Sequence, residues 1–404
     1  MSQNTHSLLI DSLNLPRFET MDELAQITGL SSRLLYCLSM KTSNYYKSKE
    51  VPKRNGNFRK ISIPSYTLHI VQRWILINIL NKILPSNRAM AFRRGKLFGH
   101  KQNAFYHMHT LYGLSIDLKD FFPSITANKV YTVFSNIGYN NFAATILTNL
   151  CTLDGKLPQG SACSPALSNI VCISLDKRFI GLCEKRGIRF TRYADDMYFS
   201  CDDKALLLKI HPIIIKIIND EGFVINNNKT HFHTPSNKKT ITGVTVATTN
   251  KEDIIDLKAP RVLKKKVRTE IFKSVLSGKY ENIEHVVGEI SYISFIEKEN
   301  ETPYLPRITK YIQNTATKIQ YFPELVAAYN NNRFFDNFEP LDWKEISIND
   351  EDKYEYFEYI FKERKEYLQK NGLDDICMYS TWPQSIVNSK GTSENLDETN
   401  DAPF

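Results

Sequence analysis

What this chain has little of narrows its function first. Its seven cysteines are scattered through 404 residues, and no two stand as a Cys-x-x-Cys pair. That pairing is the usual mark of a structural zinc site, so buried reduced thiols are expected instead of zinc. Long apolar runs are also missing. Pro212 to Ile218 is short and carries Lys216, whereas a spanning helix needs about 20 apolar residues. No membrane partner is therefore expected. Met1 to His6 has no basic segment leading into an apolar core, so no signal peptide is read and a cytoplasmic location is expected.

Charge is plentiful but unevenly placed. The chain is 42% hydrophobic and 24% charged with a formal net charge of +8, a globular composition long enough for two or three subdomains. Residues 336–404 carry 7 Lys and Arg against 17 Asp and Glu, a net of −10, which leaves the rest at +18. A basic body with an acidic tail suggests that the body binds nucleic acid.

The stretch Thr191-Arg192-Tyr193-Ala194-Asp195-Asp196-Met197-Tyr198-Phe199-Ser200 organises the chain. Residues of high β-propensity flank two adjacent carboxylates, which predicts a hairpin with the acids at or near its tip. Like charges on a tight turn repel unless a cation lies by them. Mg²⁺ suits that place because it takes hard oxygen ligands and binds carboxylates together with substrate phosphates. A solvated turn would show the same pair. A second segment, Leu114 to Pro123, opens as an apolar strand and runs into Asp117, 78 residues before Asp195. Between them lies Leu157-Pro158-Gln159-Gly160.

Three such segments in this order resemble the palm of reverse transcriptases, with Asp117 in the first motif, Gln159 and Gly160 in the second and Asp195 and Asp196 in the third. Asn103-Ala104-x-x-His107, just before the first motif, resembles a motif of retron reverse transcriptases. Ile241-Thr242-Gly243 stands where those enzymes carry Val-Thr-Gly. The resemblance spans about residues 20–320. It implies an α+β right-hand polymerase fold: an N-terminal helical segment (1–50), fingers and palm with an antiparallel sheet (51–250), a helical thumb (251–322) and a C-terminal extension (323–404).

The resemblance also distributes roles. Asp117, Asp195 and Asp196, with the Leu118 carbonyl, would hold two Mg²⁺ ions, or Mn²⁺ in their place. Asp120 is secondary. Lys229, in Gly222 to Thr230, matches the lysine of a fourth motif; it reads as a proton donor to pyrophosphate or as a turn cation. Arg59 and Lys60 follow a predicted Asn55-Gly56 hairpin turn and would grip the triphosphate of a dNTP, or else form a solvated basic hairpin. Phe122 would act as a steric gate against the ribose 2′-hydroxyl, which argues against an RNA-templated RNA polymerase. Gln159 and Gly160 would shape the nucleotide pocket, and Asn103, His107, Thr242 and Gly243 would serve RNA use. Asn103 and His107 also read as a turn cap and an interior histidine. The glycine in the predicted 239–246 strand suggests a close backbone approach. Arg93, Arg94, Lys96 and Lys101, interleaved with aromatics, suit a single strand. Arg261, Lys264, Lys265, Lys266 and Arg268 read as a solvated face or as a phosphate-contacting one; contact is the favoured reading.

The implied template is a structured noncoding RNA. The implied product is RNA-linked multicopy single-stranded DNA, and the implied setting is antiphage defence with an effector. A non-retron bacterial defence enzyme, a group II intron-related enzyme and a noncatalytic RNA-binding scaffold are the alternatives. No Cys/His endonuclease module is seen in the tail, and the intact acids oppose the scaffold reading. Residues 345–370 are acidic, aromatic and predicted helical, and the aromatic density of the tail suggests packing on the body, or docking of an effector or a second copy by residues 336–380. Residues 385–404 are expected to be disordered.

Overall fold

A computed structural model describes residues 9–52, 56, 58–246, 257–277, 283–298, 300, 303–308, 310 and 311. The expectations for Asn55 and for the 323–404 extension lie outside the described residues. In chain order the elements are α1 (Met21–Thr28), α2 (Ser32–Met40), β1 (Tyr46–Pro52), β2 (Phe58–Pro64), α3 (Tyr66–Asn78), α4 (His100–Tyr106), β3 (Tyr112–Asp117), α5 (Phe121–Ser124), α6 (Ala127–Ile137), α7 (Asn141–Cys151), α8 (Ser164–Val171), α9 (Ile173–Glu184), β4 (Arg189–Tyr193), β5 (Asp196–Cys201), α10 (Lys204–Asp220), β6 (His231–His233), β7 (Lys239–Ile241), β8 (Val244–Val246), β9 (Leu257–Lys258), α11 (Arg261–Ser277) and α12 (Ile283–Ile296). They form two compact units. One takes the chain up to Ser86 and Asp120–Ser174; the other takes Asn87–Lys119 and the described residues from Leu175 onward. The 51–250 segment thus contributes to both.

In the first unit, local signals set the helix ends. The Thr20 hydroxyl accepts from Glu23 N, the Glu23 carboxylate accepts from Glu19 N at 2.6 Å, and Gly29 stops α1 at φ +66°. This is a capping box closed one residue early. β1 and β2 pair antiparallel, with Val51 opposite Arg59 and Glu50 opposite Lys60. Leu68, Val71 and Ile75 of α3 and Leu147 and Leu150 of α7 are buried. The amphipathic pattern of His69 to Leu84 predicts one helix; the helix begins earlier, at Tyr66, because Ser65 caps it, and it ends at Asn78. The sequence from Pro165 to Cys183 predicts one helix with Leu167, Ile170, Val171, Ile173 and Leu175 in the core, but it forms two helices, broken at Cys172. Of its assigned core residues, Leu167 and Leu175 are buried, but Ile170, Val171 and Ile173 are only half-buried.

The second unit holds a four-stranded antiparallel sheet of order β4-β5-β3-β6. Phe190 and Phe199 stack at 4.9 Å, with Phe179 edge-on to Phe199 at 5.2 Å. Burial of such rings supplies roughly 2–3 kcal/mol each. A three-stranded sheet, β7-β8-β9, covers a further apolar cluster that includes Val267 and Ile271 of α11 and Ile290 and Ile293 of α12.

The strand predicted over 239–246 is instead a hairpin, turned by Thr242 at φ +46° and Gly243 at φ +83°. A Cβ on Gly243 would meet nothing within 4 Å. The glycine therefore serves the turn's backbone conformation, and the close-approach reading fails.

Candidate active site

The β3–β5 ladder sets Asp117 directly opposite Asp196. Tyr193 pairs with Asp196, so Ala194 and Asp195 form a two-residue turn with Ala194 at φ +57°. Leu118 N donates to Asp195 O at 3.0 Å, which fixes the turn against the end of β3. Strand pairing alone thus brings Asp117, Asp195 and Asp196 to one edge of the sheet. Beside Leu118, Asn226 N donates to Asp117 O and Lys119 N donates to Val224 O, both at 2.8 Å.

Two further side chains hold the Asp117 carboxylate. Lys229 Nζ donates to Oδ1 at 2.7 Å, and Asn226 Nδ2 donates to Oδ2 at 3.0 Å. Asp117 is buried, while the Lys229 side chain is 62% exposed. The bond to Asp117, reinforced by the nearby carboxylates, raises the Lys229 pKa. Such a shift makes an apo-state lysine a weaker proton donor. Burial, then Asp195 and Asp117, push the Asp196 carboxyl up to about 7. Residue Asp196 is nonetheless exposed by surface area. We therefore attribute more of the shift to crowded like charge than to lost solvent.

The hairpin's support is equally specific. Arg192, fully buried, pairs through Nε and an Nη with both oxygens of buried Asp176, each at 2.8 Å. Its other Nη reaches Ala194 O at 3.3 Å, within the turn itself. Sequence reasoning missed Asn226 and Arg192 as supports, although both lie inside the motif stretches that drew attention.

The remaining predicted residues divide by unit. Arg59 and Lys60 are exposed on β2, and Phe122 is half-buried with its ring 5.5 Å from that of Phe121. Gln159 O accepts from Ser62 N at 2.8 Å. Gly160 sits at φ +127°, and a Cβ there would overlap the Ser62 carbonyl oxygen. Here the chain does need a glycine for close approach, and the neighbour is β2. In the second unit, Asn103 and His107 are 2% and 0% exposed. Their burial agrees with the reading of His107 as an interior histidine. Thr242 is half-buried and Gly243 exposed.

On α11, Arg261, Lys265, Lys266 and Arg268 are exposed. Lys264 instead pairs with the buried Glu297 carboxylate, and Lys266 bonds Glu289 at 2.5 Å. These two are thus partly neutralised within the unit.

Comparison with known proteins matches residues 51–246 to the family model described as reverse transcriptase (RNA-dependent DNA polymerase). The chain is 33% identical over 301 residues to the retron Ec86 reverse transcriptase of Escherichia coli, covering 74% of this chain and 91% of that protein. It belongs to the retron-type reverse transcriptases. This retron-type enzyme is also 30% identical to the retron Mx65 reverse transcriptase of Myxococcus xanthus, over 74% of each chain. Among solved structures, an apo telomerase from Candida tropicalis aligns over 70% of this chain and 62% of that one, with 13% identity and a TM-score of 0.41. The assignment rests on the sequence relatives. The activity is RNA-directed DNA polymerisation on the right-hand polymerase fold, and the partners are nucleic acids. No helix among the described residues is long and apolar enough to cross a membrane.

Proposed function

We propose that the enzyme copies a structured noncoding RNA into single-stranded DNA, with Asp117, Asp195 and Asp196 as its catalytic carboxylates. The observation that carries this reading is the register of β3 and β5, which gathers all three acids at one sheet edge with Lys229 against them. Among the described residues no three His, Cys, Asp or Glu side chains already stand close enough together to hold a metal ion. The donor chemistry still fits hard divalent ions: three carboxylates, one of them pushed up to about 7 where like charges crowd. Two Mg²⁺ ions, or Mn²⁺, would be held by these acids and the Leu118 carbonyl. When bound, they supply a lowered pKa for the attacking primer hydroxyl and charge neutralisation on the leaving pyrophosphate.

The protein's own residues do the rest. Asn226 orients one oxygen of Asp117, and Lys229 is the cation that exchanges partners, leaving Asp117 for the pyrophosphate. Arg59 and Lys60 hold the dNTP triphosphate, where a fork-shaped guanidinium matches phosphate oxygens. Phe122 excludes the ribose 2′-hydroxyl, and Gln159 and Gly160 border the nucleotide. The exposed Arg261, Lys265, Lys266 and Arg268 contact duplex phosphates. Residues 51–250 serve as fingers and palm, 251–322 as thumb.

The product is RNA-linked multicopy DNA begun from a 2′-hydroxyl, made in the cytoplasm and serving antiphage defence. The 323–404 extension docks an effector or a second copy. Support comes from the retron relatives and from the aromatic content of the extension. Sequencing and debranching the nucleic acid that copurifies with the enzyme tests this. An RNA joined to DNA through a 2′-linkage is expected; unbranched nucleic acid alone rejects the retron product.

A further inference from the structure

A chain of buried polar side chains runs beneath the catalytic hairpin. The Ser200 hydroxyl lies 2.7 Å from His107 Nδ1, and His107 Nε2 lies 2.7 Å from Thr191 Oγ1. Thr191 Oγ1 is 2.5 Å from Asn103 Oδ1, and Asn103 Nδ2 is 3.4 Å from Thr242 Oγ1. Thr242 Oγ1 is in turn 3.1 Å from His100 O. Thr191 belongs to β4 and Ser200 to β5, the two strands that carry Asp195 and Asp196; Thr242 belongs to the turn between β7 and β8.

One atom fixes the direction of every bond. A backbone carbonyl only accepts, so the single Thr242 proton goes to His100 O. Thr242 Oγ1 must then accept from Asn103, which orients the amide with Nδ2 toward Thr242 and Oδ1 toward Thr191. The Thr191 proton therefore goes to Asn103, and Thr191 can only accept from His107. His107 is left as the neutral Nε2–H tautomer, and its bare Nδ1 takes the Ser200 proton. Each side chain satisfies its neighbour, as buried polar groups require.

Two independent observations mark the device as held in place. Thr242 sits at φ +46°, which β-branched residues rarely adopt. The segment carrying His107 is also clamped from both sides. Lys239 Nζ donates to His107 O, Thr110 O and Thr110 Oγ1, while Arg189 donates to Tyr106 O and Met108 O.

We propose that Thr242, Asn103, Thr191, His107 and Ser200 form a directional relay that sets the catalytic hairpin against the Thr242–Gly243 turn. They are positioning residues for DNA synthesis, and this rests on the polymerase reading above.

The test uses full-length protein labelled with ¹⁵N-histidine. Two-bond ¹⁵N–¹H correlations report each ring's tautomer, and His107→Gln assigns the signal. The wild type should show His107 as the neutral Nε2–H form. Thr242→Val, which keeps the side-chain shape, should release the Asn103 amide and give a mixed His107 tautomer; Thr242→Ser should restore the single form. Ser200→Ala, at the far end of the relay, should leave Nε2–H unchanged. In primer extension, Thr242→Val should lower kcat about tenfold at unchanged KM for dNTP, less than the roughly hundredfold that a 1 Å misplacement can cost, and Thr242→Ser should recover it. An Nδ1–H form in the wild type, or an unaltered tautomer in Thr242→Val, overturns the relay. Equal kinetic loss in the Val and Ser variants overturns its positioning role. If the wild type fails to extend any primer, the polymerase reading fails separately, while the tautomer result still decides the relay.

Discussion

Two antiparallel hairpins of this enzyme can be compared directly. β1–β2 lies in one compact unit and exposes Arg59 and Lys60 to solvent. β4–β5 lies in the other, with Thr191, Arg192 and Ser200 buried beneath its acidic turn. The first presents long cationic side chains that can adapt to a phosphate. The second holds short carboxylates whose backbone, turn and underside are each bonded to something else. The difference teaches what each proposed role needs: a grip tolerates motion, whereas carboxylates that must share cations do not.

The comparison predicts sharply unequal responses to substitution. The largest effect is expected from Arg192→Leu, which strands the Asp176 carboxylate in the interior. Breaking a buried pair in this way costs about 3–5 kcal/mol. Denaturant unfolding should register the loss, and a shift of less than about 1 kcal/mol would show that the pair is dispensable to the hairpin.

Gly160→Ala comes next. The added Cβ meets the Ser62 carbonyl at a backbone angle suited to glycine, so a loss of about 1–3 kcal/mol is expected. It should come with a raised KM for dNTP as β2 shifts. Wild-type values of both would show that β2 is free to move away.

Arg59→Ala should be silent in unfolding, within about 0.5 kcal/mol, because the residue is exposed. It should raise KM for dNTP about tenfold, equivalent to about 1.4 kcal/mol of lost phosphate contact. Steady-state kinetics with a fixed primer–template decides the point; an unchanged KM would remove Arg59 from the nucleotide site.

The smallest effect concerns pH. Burial, with Lys239, Arg189 and Arg88 nearby, lowers the His107 pKa well below its ordinary 6.5. Below that value the unfolded chain takes up a proton that the folded chain refuses. Stability from this group is thus full above pH 6.5 and declines as pH falls toward the folded pKa, by at most about 1.4 kcal/mol per pH unit. His107→Gln should flatten this part of the acid limb in urea unfolding measured between pH 6.5 and 5.5. An equally steep limb would mean that other groups dominate it.

The strand pattern around the acidic hairpin is legible in the sequence because its signals are local. Alternating β-formers around Asp195 and Asp196, and an apolar strand ending at Asp117, dictate hairpin and edge once strands pair. Thr20 with Glu23 three residues on, and Gly29 after the apolar spacing of Met21 to Ile27, mark the ends of α1 in the sequence for the same reason. The break at Cys172 is not legible, because no glycine or proline stands there to announce it. Asn103 and His107 read equally as residues for RNA use and as a turn cap and an interior histidine, because sequence spacing does not report burial. Their partners Thr191, Ser200 and Thr242 lie 84 to 139 residues away along the chain. Lys239 reads as a surface cation until the fold encloses it. There burial, aided by Arg189, pushes its pKa down to about 8.

The most direct test of the account is DNA synthesis on the cognate RNA by the Asp195→Asn, Asp196→Asn double variant, measured beside RNA binding by the same protein. Amides keep the size of the side chains and remove the charge that hard cations need. DNA synthesis should fall by at least about a thousandfold, with RNA affinity and unfolding midpoint close to wild type. DNA synthesis at the wild-type rate by the double variant would contradict the assignment of this hairpin as the chemical centre.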